Sequence, residues 1–227
     1  RYHEHEDVTA AKPIHALLIA NTPSAIALSS HVIRQVPRHM LDAHGDGMFY
    51  GENCLHVLCA NGREAEACAM FDVVADQLPR QEVHRLLRMQ AVGSFFRSPP
   101  VDFYGSTPVS YACMFGMKEL LGKMLKWGGT EIDLNDPKQF GCHTSGFLPI
   151  HCLVASKLPR MVDWLLTLRG HPDLLASRAR LNVRVAEGAN MRFHELTPLQ
   201  LATKLGDHAM FRFLLKKSAK ADWRWGP

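Results

Sequence analysis

An all-α solenoid of stacked helix pairs is the fold class this sequence predicts, on three observations. A tetrapeptide with an apolar third position recurs five times: Lys12-Pro-Ile-His15, Asn53-Cys-Leu-His56, Thr107-Pro-Val-Ser110, Leu148-Pro-Ile-His151 and Thr197-Pro-Leu-Gln200. Its second positions fall at 13, 54, 108, 149 and 198, at intervals of 41, 54, 41 and 49 residues. Each copy is followed by a second amphipathic stretch. A short helix pair of this kind cannot bury its apolar face alone and needs a copy on each side.

The tetrapeptides match the Thr-Pro-Leu-His of ankyrin repeats, whose period is about 33 residues. Every interval here is longer, so each carries an insertion. The alternative, an irregular helical bundle, leaves five tetrapeptides in register unexplained. The central unit shows the logic. Thr107 is placed to cap a helix and Pro108 stands at its first position, where a missing N–H costs nothing. Ala112 is small enough for close approach, Gly116 ends the inner helix, and Lys118 to Lys126 forms an outer helix with Leu120, Leu121, Met124 and Leu125 on one face.

The chain divides into an arm (1–11), the repeats (12–217, starting near 12, 53, 107, 148 and 197) and an exit segment (218–227). His3 and His5 in the arm read as part of a solvated terminus. In the first repeat Pro13 to Ala20 is the inner helix and Ala25 to Val36 the outer one, with Ile26, Leu28, Val32, Ile33 and Val36 apolar; Arg38 to Met48 is a first finger loop. The second repeat has an inner helix over Asn53 to Ala60 and an outer one over Arg63 to Leu78, packing through Ala67, Met70, Phe71 and Val74. Gln81 to Ala91 is an extra helical stretch. A second finger, 93–104, carries Phe95, Phe96, Phe103 and Tyr104. Trp127-Gly-Gly129 turns the chain into an insertion over 130–147. The fourth repeat packs through Val162, Leu165 and Leu166. A third insertion, 170–195, holds Arg178, Arg180, Arg184 and Arg192. The fifth repeat packs through Leu201, Ala202, Phe211, Leu214 and Leu215.

Composition agrees. The chain has 227 residues, 47% of them hydrophobic, enough for a continuous core between repeats. A net charge of +4 is mild and gives no argument for nucleic acid. The six cysteines form no Cys-x-x-Cys pair; Cys54, Cys59, Cys113 and Cys152 fall on inner helices as small core residues, which suits a reducing compartment. No apolar run approaches the ~18 residues that span a bilayer, so the fragment itself is expected to be soluble. Of thirteen histidines, His15, His56 and His151 are explained by the repeat register. Cys142, His143, His151 and Cys152 match no zinc spacing, so no metal is expected. No nucleophile elbow or phosphate loop is present, and neither an enzyme nor a cofactor is expected.

At four places the chain resembles the cytosolic amino-terminal ankyrin domain of vanilloid-type transient receptor potential (TRP) cation channels. Phe49-Tyr-Gly-Glu-Asn-Cys-Leu-His56 is similar to that family's aromatic-x-Gly-x-x-x-Leu-His entry to a middle repeat. Phe103-Tyr-Gly-Ser-Thr-Pro-Val-Ser-Tyr-Ala-Cys113 is similar to its Phe-Tyr-x-Gly-Glu-x-Pro-Leu-Ser-x-Ala-Ala-Cys segment. Leu196-Thr-Pro-Leu-Gln-Leu-Ala202 resembles its last repeat, and Trp223-Arg-Trp-Gly-Pro227 the Trp-x-Tyr-Gly-Pro motif that begins its linker to the membrane part. One family repeat at the amino end is missing.

The resemblance implies a module on the cytosolic side of a plasma or ciliary membrane, joined to it through a part beyond Pro227. Its partners are then the other subunits of a homo- or hetero-tetrameric channel, met through Arg178, Arg180, Arg184, Arg192, Trp223 and Trp225. Calmodulin is a further candidate on the concave face, where Lys12, Phe49, Tyr50, Phe95, Phe96, Phe103 and Tyr104 lie. Family members that bind ATP use lysines in the first two inner helices. Here Ala11 and Ala16 stand at such positions with only Lys12 nearby, which removes the charge-assisted bonds and argues against ATP. The competing reading is a soluble ankyrin adaptor that binds peptide or protein partners.

Overall fold

The computed structural model describes residues 12–93, 97–98, 101–102, 106–169, 172–180 and 194–218. Five helix pairs follow one another. They are α1 (Pro13–Ala20) with α2 (Pro23–Gln35), α3 (Cys54–Ala60) with α4 (Glu64–Gln77), then, after an added helix α5 (Arg80–Arg88), α6 (Pro108–Met114) with α7 (Lys118–Gly128). A single turn α8 (Pro137–Phe140) precedes α9 (Pro149–Ala155) with α10 (Pro159–Arg169), and α11 (Pro198–Lys204) with α12 (His208–Ser218) completes the set. The inner helices pack in one row, α1 on α3, α3 on α6, α6 on α9 and α9 on α11, while α2, α4 and α7 stack behind them. One antiparallel pair of two-residue strands, β1 (Arg97–Ser98) and β2 (Val101–Asp102), lies in the second finger.

Local chemistry sets each inner helix. Proline occupies its first turn in α1, α6, α9 and α11. Thr107 Oγ1 accepts from the Ser110 N–H at 3.4 Å, Thr197 Oγ1 from Gln200 at 3.3 Å, and the Asn53 side chain from Leu55 at 3.0 Å. The helices end on residues 21, 62, 116, 157 and 206, all left-handed, with φ from 52° to 74°. Those positions repeat the 41, 54, 41 and 49 spacing of the tetrapeptides. Four of them close the same wide turn: Arg63 donates to the Leu58 carbonyl, Met117 to Ala112, Leu158 to Leu153 and Asp207 to Ala202, at 2.8–3.1 Å. Gly62, Gly116 and Gly206 take this conformation freely, whereas Asn21 and Lys157 bear its steric cost.

Three buried histidines rivet neighbouring repeats. His15 Nε2 lies 2.9 Å from the Asp42 carbonyl, His56 Nε2 3.2 Å from Ser106, and His151 Nε2 2.9 Å from Leu196. In His56 the other nitrogen accepts from the Asn53 N–H at 3.0 Å, and in His151 from Leu148 at 3.3 Å. Nε2 must then carry the proton and donate it to the carbonyl. Ser110 and Gln200 hold the same register position in the third and fifth repeats; Gln200 closes a reciprocal cap with Thr197.

The outer helices follow the predicted stripes with three corrections. Leu28, Val36 and Leu215 are exposed at 49%, 45% and 47%. The buried stripe of α2 runs through Ile26, Ser29 and Ile33, so Leu28 sits two residues, about 200° of helical rotation, away from Ile26. Val36 lies beyond the last turn of α2, and in α12 Met210 and Leu214 take the inward positions beside Leu215. Of the turn expected at Trp127-Gly-Gly129, only Gly129, with φ 52°, turns the chain: α7 continues through Trp127 and Gly128, and Trp127 packs edge-on against Phe71 of α4, ring centroids 6.3 Å apart. The segment 130–147 is packed as well, with Ile132, Leu134, Phe140 and Phe147 buried. Polar ties cross the outer layer. Glu64 Oε1 of α4 accepts from the Glu119 N–H at the start of α7 at 2.7 Å, and Lys123 meets Asp72 at 2.6 Å.

All six cysteines are buried and none is in a disulfide. Burial pushes the thiols of Cys54, Cys59, Cys113 and Cys152 well up, and that of Cys68 to about 11. Ellman's reagent at pH 8 is therefore expected to leave the native protein essentially unlabelled and to titrate all six thiols after guanidinium is added. Rapid native labelling of more than one thiol would contradict this packing.

Candidate functional site

The first finger grows from the stack at the bridge between Ala43 and Asn53. His44 donates its N–H to the Glu52 carbonyl and Gly51 donates to His44, both at 2.9 Å, and the Asp46 carboxylate caps Gly47 at 2.7 Å. The finger is then fastened to the base of the second one. Val92 and Gly93 both donate to the Tyr50 carbonyl, at 2.7 and 2.8 Å. This closeness requires two glycines: a Cβ on Gly51 would stand 2.1 Å from the Gln90 carbonyl oxygen, and one on Gly93 2.1 Å from that of Met48. The result is a rigid tip with Met48 and Tyr50 facing out, 48% and 49% exposed. Phe49 between them turns inward onto His44, centroids 5.5 Å apart, and His44 stacks on His15 at 4.1 Å.

Asp42 organises the ground beneath the tip. Lys12 Nζ bonds one carboxylate oxygen at 2.8 Å and His39 Nδ1 the other at 2.7 Å, while His15 bonds the Asp42 backbone. Burial raises the Asp42 carboxyl, but the bonds from Lys12 and His39 outweigh it and hold the group below its ordinary value. His15 is lowered to about 4, first by burial and then by His44. Deeper in, burial pushes the Glu52 carboxyl up to about 7, with the Tyr111 hydroxyl at 3.4 Å as its hydrogen-bond donor.

Of the residues expected on the concave face, the structure thus gathers Lys12, Phe49 and Tyr50 around one finger. Lys12 is already an ion-pair partner, not a free cation. Phe95, Phe96, Phe103 and Tyr104 lie outside the described residues, as do Arg184, Arg192, Trp223 and Trp225. At the third insertion, Ala179 and Glu195 close the base: Ala179 donates to the Leu196 carbonyl at 3.0 Å and Glu195 to Ala179 at 2.7 Å. Arg178 and Arg180 both face the Glu195 carboxylate, at 3.9 and 3.5 Å. Sequence reasoning missed Asp42, His44 and Met48. Their signal was a His-Gly-Asp-Gly run followed directly by Met and two aromatics, a tight turn with an apolar tip. Among the described residues no three metal-ligating side chains are grouped, and no helix is long and apolar enough to cross a membrane.

No family model matches the chain. A curated relative, the glycerophosphocholine phosphodiesterase GDE1 of Candida albicans, is 27% identical over 144 residues, covering 53% of this chain and 12% of that protein. The chain thus spans about an eighth of the length of the relative it matches. Among solved structures, the ankyrin repeat domain of Bcl-3, described as a unique member of the IκB protein family, aligns with a TM-score of 0.54 at 16% identity. The alignment covers 93% of this chain and 74% of that one. The fold is an ankyrin repeat solenoid. That identity establishes architecture alone; among the described residues, the first finger projects a fixed, partly apolar tip.

Proposed function

We propose that this ankyrin solenoid is a protein-binding segment of a longer polypeptide, and that the polypeptide is a vanilloid-type TRP-like cation channel whose subunits the segment helps to assemble and regulate. The observation that carries the binding role is the first finger. Its backbone is locked, so presenting Met48 and Tyr50 to a partner costs little ordering entropy, and these residue types are enriched in protein interfaces. Support for the channel is the order of the four motifs from Phe49 to Pro227. Its partners are then neighbouring subunits on the cytosolic side of a plasma or ciliary membrane, with calmodulin as a further candidate. The pairing of Lys12 with Asp42 speaks against ATP, because a polyphosphate would have to displace that carboxylate first.

One observation favours a second reading. The similarity to a phosphodiesterase, covering a small part of that protein, supports an ankyrin segment carried within a large enzyme. A photo-crosslinking residue placed at position 50 of the full-length gene product separates the readings. The channel reading expects crosslinks to a second copy of the same chain, in membranes, lost on Met48→Asp. Crosslinks confined to a different protein other than calmodulin, or to a catalytic domain of the same chain, would remove it; absence of any crosslink would remove the protein-binding role of the finger.

A further inference from the structure

Helix α5 stands outside the five pairs and carries a charged face that the repeat stack does not require. Its apolar side, Val83, Leu86 and Leu87, is buried against α4, α6 and the turn at 37–41. The other side presents Arg80, His84 and Arg88 at steps of four, with Arg85 beside them. Arg80 and His84 share one acid, Glu131, from the turn after α7. Arg80 Nη2 lies 2.6 Å from Oε1 and His84 Nε2 2.5 Å from Oε2. Trp127 backs this clamp, with the Arg80 guanidinium 4.7 Å over its ring and His84 tilted against it at 4.9 Å. One helical turn further on, the same trough is lined by Arg85 and Arg88. Among the described residues no carboxylate pairs with either; the hydrogen bond of Arg88 is to the Gln139 side-chain oxygen at 3.2 Å.

We infer that this trough docks an acidic, extended segment of a protein partner, with one carboxylate seated between Arg85 and Arg88 as Glu131 is seated between Arg80 and His84. Two features favour a peptide over a free phosphate. The clamp already demonstrates carboxylate chemistry with a residue of its own chain. The trough is also open and follows the helix, and side chains on one face of an extended chain recur every ~6.6–6.8 Å, near the ~5.4 Å pitch of the helix. The first turn is filled by Glu131, so one acidic residue of such a chain meets the Arg85–Arg88 pair while the rest of it lies along the trough. The site shares no residue with the first finger, so it stands or falls separately from the binding role assigned there.

The test uses the 227-residue chain and a fluorescein-labelled peptide of alternating Glu and Gly, read by anisotropy at low salt. The Gln-for-Glu peptide is expected to bind at least tenfold more weakly. The double variant Arg85→Glu, Arg88→Glu is expected to lose at least tenfold for the Glu peptide while its melting temperature falls by only a few degrees, because both side chains are exposed and the cost is that of two last-turn charges and the Arg88–Gln139 bond. Equal binding of the two peptides, or of the two proteins, overturns the inference. So does inorganic phosphate if, at matched ionic strength, it saturates the Arg85–Arg88 pair while the Glu peptide does not.

Discussion

Lowering the pH from 7 to 4 is expected to cost this protein most of its stability, and the loss begins well above the range in which exposed surface carboxylates are protonated. The cause is the three rivet histidines. Burial holds His15 and His151 near a pKa of about 4 and His56 near about 3, against an ordinary value of 6.5. All three are neutral in the fold, and each has its place because a neutral ring donates Nε2–H to a neighbouring carbonyl. The unfolded chain takes up three protons as the pH falls through 6.5, and the folded chain does not. The stabilisation is therefore complete above about pH 6.5 and is lost between there and pH 4, at about 3 kcal/mol per histidine. Glu52 acts in the opposite sense. Its folded value of about 7 lies above the ordinary 4.5, so its contribution is present at low pH and lost as the pH rises through 7, on the order of 3 kcal/mol. The balance is a net loss of about 6 kcal/mol between pH 8 and 4, or roughly 12–24 °C in melting temperature for a chain of this size. Thermal melts at pH 8, 7, 6, 5 and 4 read it directly. A flat profile from pH 7 to 4 would sink the account. The variant His151→Gln should have a shallower acid limb, since its ring no longer titrates.

The histidine positions were legible in the sequence, because the tetrapeptide register alone marks His15, His56 and His151. Their partners were legible in two cases of three. Ser106 and Leu196 each precede the next tetrapeptide, so a rivet to the adjacent turn lands on them. His15 instead reaches Asp42, ten residues before the corresponding Glu52, because the first finger folds back and offers Asp42 in that place. Sequence periodicity carries no information about which residue of a long insertion returns to the stack. The outer helices show the same limit. Ile26 and Ile33 were read as core and are buried, whereas Leu28 and Leu215 were read as core and are exposed, since an apolar residue states nothing about its angle when the stripe is only two or three residues wide. The extra helix after the second repeat was read from the sequence as 81–91, but its basic face was not, and the acid of that face, Glu131, lies 47 residues beyond His84, so only folding brings the two together.

Replacing Gly51 by alanine is expected to detach the first finger from the stack, and this is the larger of the single-residue effects. Gly51 has φ +84°, where an L side chain is strained by about 1–2 kcal/mol. The new Cβ would also lie 2.1 Å from the Gln90 carbonyl oxygen and 3.2 Å from the Val92 nitrogen, both backbone atoms that cannot swing aside. Relief requires the 90–93 segment to move away, which breaks the bonds from Val92 and Gly93 to the Tyr50 carbonyl, each worth about 1 kcal/mol. A total above about 3 kcal/mol follows, or a fall of roughly 6–12 °C in melting temperature. Gly45→Ala is the matched control: no atom lies within 4 Å of the added Cβ, so the same chemical change two turns of the finger away should leave stability within about 0.5 kcal/mol. Amide exchange locates the damage. Gly51, Val92 and Gly93 should exchange far faster in Gly51→Ala, while α9 and α11 keep their protection, because contacts in a repeat stack extend only to neighbours. If Gly51→Ala melts with Gly45→Ala, the finger is not held by this contact, and the rigid presentation of Met48 and Tyr50 loses its physical basis.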